Sequence, residues 1–333
     1  MSEQLNGVST VPAEPAPTAA ETPARVSRRR IPGTLLAFAV LVTAFAVLRP
    51  QTFLGAGNLR NMVEQVAILA VIAAVQTVVM SVGDFDLSVG ALTSFTGVVA
   101  ARLMLDGLPV PLAILAAVLA GALVGAISGA LVAYLRLSAF VATLAVLTSL
   151  AGASLLLTDG STLFRLPAGL IAFGRERLGG VSVLVLLGAV VVAAVWFLLA
   201  QTTAGARWYA VGGNAEAAGY AGIDVRRVRM AAFVVSGTGA GIAGVLLTTR
   251  LASAHPTAGD GLMLTSIAAV FLGMTASAAG RVTVAGSLLG VAILGVLDNG
   301  LNLLEVNTYV QQVLTGVIIV CAVGLSRWRE HRR

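Results

Sequence analysis

VPLAILAAVLAGALVGAISGALVAY, residues 110–134, contains no charged side chain. A helix rises 1.5 Å per residue, so about 20 apolar residues cross the hydrocarbon core of a bilayer. This run is long enough to cross with a tilt. Within it Gly121, Gly125 and Gly129 recur every fourth position, a small-xxx-small ladder that lets two helix backbones approach closely. Gly237, Gly239, Gly241 and Gly244 form a similar cluster further along. Comparable apolar runs lie near 31–49, 60–82, 87–105, 138–157, 181–200, 227–250, 263–280, 284–303 and 308–326. The 333 residues are 58% hydrophobic and 11% charged, with mean hydropathy +0.95, where a soluble domain carries about 25% charged residues. The expected fold is all-α: a polytopic transmembrane helical bundle of about ten spans.

The breaks between runs are legible. Pro50 to Asn58 is a turn-rich link, and Gly107-Leu108-Pro109 divides two spans. Residues 158–180, with Asp159, Arg165, Pro167, Arg175, Glu176 and Arg177, form an external loop, as do His255 to Gly261. Residues 1–30 are polar and rich in Pro, Ala, Glu, Ser and Thr, a disordered cytoplasmic tail that ends in Arg25 and Arg28–Arg30. No small-residue cleavage site follows the first apolar run, so that run is an uncleaved span. The membrane domain covers 31–326, with a polar cytoplasmic loop at 201–226, and 327–333 is a basic cytoplasmic tail. With both ends inside, 14 arginines lie on the cytoplasmic side and 7 outside, in keeping with the positive-inside rule.

Composition excludes several functions. All 21 basic residues are arginine, so a phosphate-cradling GxxxxGK[ST] loop cannot exist here. If ATP drives the protein, ATP-Mg sits on a partner, and this chain carries no cofactor. The net charge of +6 reflects arginines at helix ends, with no aromatic–basic interleaving to suggest nucleic acid. No HExxH or GxSxG occurs, and His255 and His331 are the two histidines, so neither catalytic residues nor a metal site are expected. Cys321 lies alone in an apolar helix and reads as a small buried hydrophobe.

Three polar segments carry chemistry. In Gly212-Gly213-Asn214-Ala215-Glu216-Ala217-Ala218, Asn214 is placed to cap a short helix, Glu216 complements its first turn and Gly222 stops it. Small Ala217 and Ala218 would let another protein pack on it. In Gly83-Asp84-Phe85-Asp86-Leu87-Ser88-Val89-Gly90, two carboxylates interrupt an apolar stretch, where a charge at mid-bilayer costs about 2.5–3.5 kcal/mol. Asp86 with Ser88 reads as a helix cap or as part of a polar pathway; Asp84 reads equally as a cap or a gate. In Asp298-Asn299-Gly300-Leu301-Asn302, the two amides share one helix face and suit either sugar hydroxyls or interhelix packing. The candidate translocation pathway is therefore Asp84, Asp86, Ser88, Asn299 and Asn302.

Glu216-Ala217-Ala218-x-x-x-Gly222 matches the EAA-x-x-x-G core of the cytoplasmic loop of ABC-importer permeases. With the 83–90 segment, Pro256-Thr257-Ala258-Gly259 and the 298–304 segment, found in family order over roughly 60–326, the chain resembles the permeases for ribose, xylose, galactose and related solutes. The resemblance implies that Asn214, Glu216, Ala217, Ala218 and Gly222 form the helix that docks on an ATPase subunit. It further implies a bacterial cytoplasmic membrane, a second permease subunit, identical or a close paralogue, and an extracytoplasmic solute-binding protein. The chain departs from the family pattern at Asp84, usually glycine, at Met263 and Thr265, often acidic, and at Gly273-Met274-Thr275-Ala276; these leave the solute open. Permeases for nucleosides or branched-chain amino acids are the alternative. An ATP-independent secondary transporter would place more ionisable residues inside its spans than Asp84, Asp86 and Asp298.

Overall fold

The computed structural model describes residues 33–277, 280–314 and 316–317. The expected tails at 1–30 and 327–333, Cys321, and most of the expected span at 308–326 lie outside the described residues. In chain order the elements are α1 (Gly33–Leu48), α2 (Pro50–Phe53), α3 (Ala56–Ser81), α4 (Val89–Leu105), α5 (Val110–Ala133), α6 (Ala139–Thr158), α7 (Ala168–Arg175), β1 (Arg177–Leu178), β2 (Val181–Ser182), α8 (Val183–Gln201), α9 (Thr203–Gly213), α10 (Ala215–Tyr220), α11 (Val225–Leu251), α12 (Asp260–Ala276) and α13 (Val284–Leu303). Among the described residues six helices (α3, α5, α6, α8, α11 and α13) are long and apolar enough to cross a membrane. Fewer helices meet that standard than the ten expected spans. The apolar helices α1, α4 and α12 are shorter, at 16, 17 and 17 residues, because chain breaks consume part of the expected runs.

The bundle is organised inside out relative to a soluble protein. Along α5, Leu112, Leu115, Leu119, Leu123 and Ile127 are exposed, while Ala113, Ala117, Gly121, Gly125 and Gly129 face inward. Lipid tails solvate leucine well, so burying it brings no hydrophobic gain, and small residues take the helix contacts. The glycine ladder of α5 lies against the corresponding glycines of α11. A Cβ added to Gly125 would strike the Phe233 carbonyl, one on Gly237 would strike the Gly121 carbonyl, and one on Gly241 would lie 3.1 Å from Val118 Cα. The two backbones are therefore in direct contact.

At the centre runs α3, buried continuously from Ile68 to Val79 and packed on α8, α11, α12 and α13. It closes in a Schellman turn: Gly83, at φ +86°, donates to Met80, and Asp84 N–H donates to Val79 O. The chain then runs extended through Asp84–Asp86 before α4 begins. A second break, 252–259, brings Gly259 N–H onto Ser94 Oγ at 2.8 Å, so α12 starts beside the first turns of α4. The external loop expected at 158–180 is more ordered than a plain loop. Pro167 starts α7, and Gly179-Gly180, both at positive φ, turn the two-residue hairpin β1–β2.

Candidate functional site

The polar segment 201–226 folds into two helices. Thr202 caps α9, accepting from Gly205 N–H at 3.4 Å, and Trp208 Nε1 donates to Val228 O at 3.0 Å, pinning α9 against α11. At its far end Gly212 sits on the last turn of α3, so close that any Cβ would overlap the Ser81 carbonyl. Asn214 then caps α10 as its position predicts, accepting from Ala217 N–H at 2.9 Å. Gly222, at φ +82°, ends it in a second Schellman turn, with Ile223 N–H on Ala218 O at 3.0 Å. One detail differs from expectation: Ala218 is only 5% exposed and packs inward. It anchors α10 to its own chain. Glu216 and Ala217 face out beside Tyr220, 85% exposed, whose hydroxyl donates to Glu216 Oε1 at 3.3 Å.

The break between α3 and α4 lies next to this assembly. Asp84 Oδ2 is 3.2 Å from Arg229 Nε of α11, an ion pair on the side of the bundle that carries Gly212. Asp86 is 1% exposed and fully engaged. Its Oδ1 accepts from Ser88 N–H at 2.9 Å and Ser88 Oγ at 2.6 Å, and its Oδ2 accepts from Ser236 Oγ of α11 at 2.7 Å. With its amide oriented to suit, Gln76 of α3 pairs with the Asp86 backbone N–H and carbonyl, both at 3.3 Å. Leu87 N–H donates to Thr143 Oγ1 of α6 at 3.1 Å. The extended segment is thus sewn to α3, α6 and α11 through its own polar groups.

The amides of α13 also have partners. Asn299 and Asn58 of α3 exchange two hydrogen bonds, at 2.8 and 2.9 Å. Asn302 Oδ1 accepts from Gln311 Nε2 at 3.0 Å and lines a shallow cavity of about 570 Å³ with Glu305, Asn307, Thr308 and Tyr309. The five pathway candidates therefore do not converge on one point: Asp84, Asp86 and Ser88 cluster near Gly212 and α11, while Asn299 and Asn302 lie towards the end of α13. Sequence reasoning missed Gln76, Arg229, Ser236 and Asn58. The available signal was a polar side chain inside or beside an apolar run, which in a bilayer needs a partner. Among the described residues no group of three or more His, Cys, Asp or Glu could hold a metal ion.

A profile of the family described as branched-chain amino acid transport system permease component matches residues 58–323. The ribose import permease protein RbsC of Bacillus subtilis strain 168 is 41% identical over 297 residues, covering 89% of this chain and 92% of that protein. The D-allose transport system permease protein AlsC of Escherichia coli K12 is 35% identical, covering 89% and 91%. The L-arabinose ABC transporter permease protein AraH of Azospirillum brasilense is 32% identical, covering 96% and 95%. No solved structure matches the chain significantly.

Proposed function

Since this chain belongs to the branched-chain amino acid transport system permease component family, we propose that it is the membrane-spanning subunit of an ATP-driven importer for a monosaccharide. It is a multi-pass protein of the inner membrane. Relatives named for ribose, D-allose and L-arabinose, each aligned over nearly the whole chain, favour a monosaccharide over the amino acids of the family's description. We take α1, α4 and α12 as spans beside the six long helices, and α9 and α10 as lying on the cytoplasmic side, where the sequence reading puts 14 of the 21 arginines.

The observation that carries the mechanism is the contact of Gly212 with the end of α3. An ATPase subunit gripping the exposed face of α10, at Glu216, Ala217 and Tyr220, would move α10 with α9 as one lever. Motion of that lever is delivered through Gly212 to the segment 83–88, where Asp84 is paired with Arg229 and Asp86 with Ser236 of α11. Asp84 is then a gate residue on the inner side, and Asp86 with Ser88 a pin that keeps the start of α4 in register. Nucleotide binding shifts the population between two arrangements of these rigid elements because the partner contacts them differently in each. Solute selection falls to an extracytoplasmic binding protein, which we place against the opposite end, near Asn302 and Tyr309. A second permease subunit completes the pathway.

The test is reconstitution of the chain with candidate ATPase and sugar-binding-protein subunits. ATP-dependent uptake of ribose, allose or arabinose, competed by the other two at differing strengths, is the expected result. Solute accumulation without ATP or an ATPase subunit would overturn it.

A further inference from the structure

A cavity of about 460 Å³ opens on the outside of the bundle, between α8, α9 and the start of α13. Its walls are Trp196, Leu199 and Ala200 of α8, Thr202 with Ala206 and Tyr209 of α9, and Thr283 with Val284 and Ala285 of α13. They are mostly apolar, and Trp196 and Ala285 are exposed where lipid would meet the helices. Tyr209 bounds the cavity, its hydroxyl donating to Val282 O at 2.8 Å. Burial pushes the Tyr209 phenol above its usual value, and the nearby Arg281 guanidinium pulls it part of the way back. Arg281 is exposed and has no ion-pair partner among the described residues. An apolar trough on a membrane-facing surface, bounded by Trp196 and Tyr209 and with Arg281 two residues before its Thr283 wall, has the charge and shape complementary to one class of ligand.

We propose that this trough holds a single anionic phospholipid, its acyl chain along Trp196, Leu199 and Ala285 and its phosphate at Arg281. Basic residues between membrane helices at the cytoplasmic side commonly recruit such headgroups, and tryptophan and tyrosine settle at the same depth. The lipid would bridge α8, α9 and α13, and so brace the base of the lever. The site rests on the cytoplasmic placement of α9 proposed above and does not depend on which solute is carried.

Trp196 reports directly on occupancy. The full chain is placed in phosphatidylcholine vesicles containing increasing brominated phosphatidylglycerol, or brominated phosphatidylcholine as the matched probe. The Trp196 signal is taken as the difference between wild type and Trp196→Phe. Quenching is expected at about fivefold lower mole fraction of the brominated phosphatidylglycerol, the preference that one arginine near the surface supplies. Arg281→Gln, at an exposed position, should remove that preference, and Arg136→Gln, an exposed arginine in the α5–α6 turn, should leave it. Equal quenching by the two lipids, or equal losses in the two arginine variants, would overturn the site.

Discussion

Asp86 offers the sharpest test of the physical account, because its carboxylate is sealed from solvent and accepts three hydrogen bonds. Replacing it by alanine removes all three acceptor contacts. A bond to a charged acceptor is worth about 1.5–3 kcal/mol, so the gross loss is large. Two terms reduce it. The Ser88 and Ser236 hydroxyls can rotate towards helix carbonyls, and the buried carboxylate no longer carries its desolvation penalty of several kcal/mol. The Ser88 N–H cannot rotate and is left orphaned at about 1–3 kcal/mol. The net cost of Asp86→Ala is therefore roughly 3 kcal/mol. Asp86→Asn keeps an oxygen for both Ser88 donors and turns an NH2 to Ser236 Oγ, which accepts; only the charge assistance is lost, about 1 kcal/mol. At about 2–4 °C per kcal/mol, the apparent unfolding midpoint in detergent should fall by roughly 6–12 °C for Ala and 2–4 °C for Asn. Uptake per folded molecule should stay near wild type for Asn. An Asn variant as stable as wild type but inactive in transport would refute the pin, since the charge would then act on the pathway. So would an Ala variant of unchanged midpoint.

Three further perturbations address the rest of the machine. Asp84→Asn and Arg229→Gln should each cost about 1–3 kcal/mol, discounted from a sealed pair because Arg229 is one-third exposed, and a double-mutant cycle should give a coupling above about 0.5 kcal/mol. Additive effects would mean that the two charges do not sense each other. Glu216→Arg or Gly222→Trp should abolish uptake while membrane abundance, read by quantitative blotting, stays normal; retained uptake in both would remove α10 from the drive. Gly237→Val should cost 3 kcal/mol or about that, at the upper end for overpacking, and deplete folded protein. Gly152→Ala, in the open face of α6, should be neutral or stabilising by up to about 1 kcal/mol. Equal behaviour of these two glycine variants on a thermal-shift assay would contradict the backbone contact.

What could be read before the structure follows from what is local. The cap of α10 was legible because Asn214 and Gly222 act on their own backbone within eight residues. The α5–α11 contact was legible as a ladder of glycines, though not which helix it met. Helix count was harder: α4 starts at Val89, two residues into its expected run of 87–105, and α12 ends at Ala276, short of the 280 expected for it, so both are shorter than a run of apolar residues suggests. The helix α9 was missed since Gly205, Gly212 and Gly213 argue against it locally, and its burial of Trp208 on α11 outweighs that penalty. The inward turn of Ala218 and the partners of Asp84, Asp86 and Asn299 are long-range facts. Ser236 lies 150 positions from Asp86, and no spacing rule reaches that far.

The glycine seam has a mechanical consequence. Side-chain interfaces slip by re-sorting rotamers, a change of small cost repeated many times. Where Gly121, Gly125, Gly237 and Gly241 bring two main chains together, there are no rotamers to re-sort, and sliding would require the helices to separate first. α5 and α11 should thus travel as one keel through the transport cycle. The bending must then be taken up elsewhere, at the extended joint of residues 83–88 and in the outer helices whose side chains can yield.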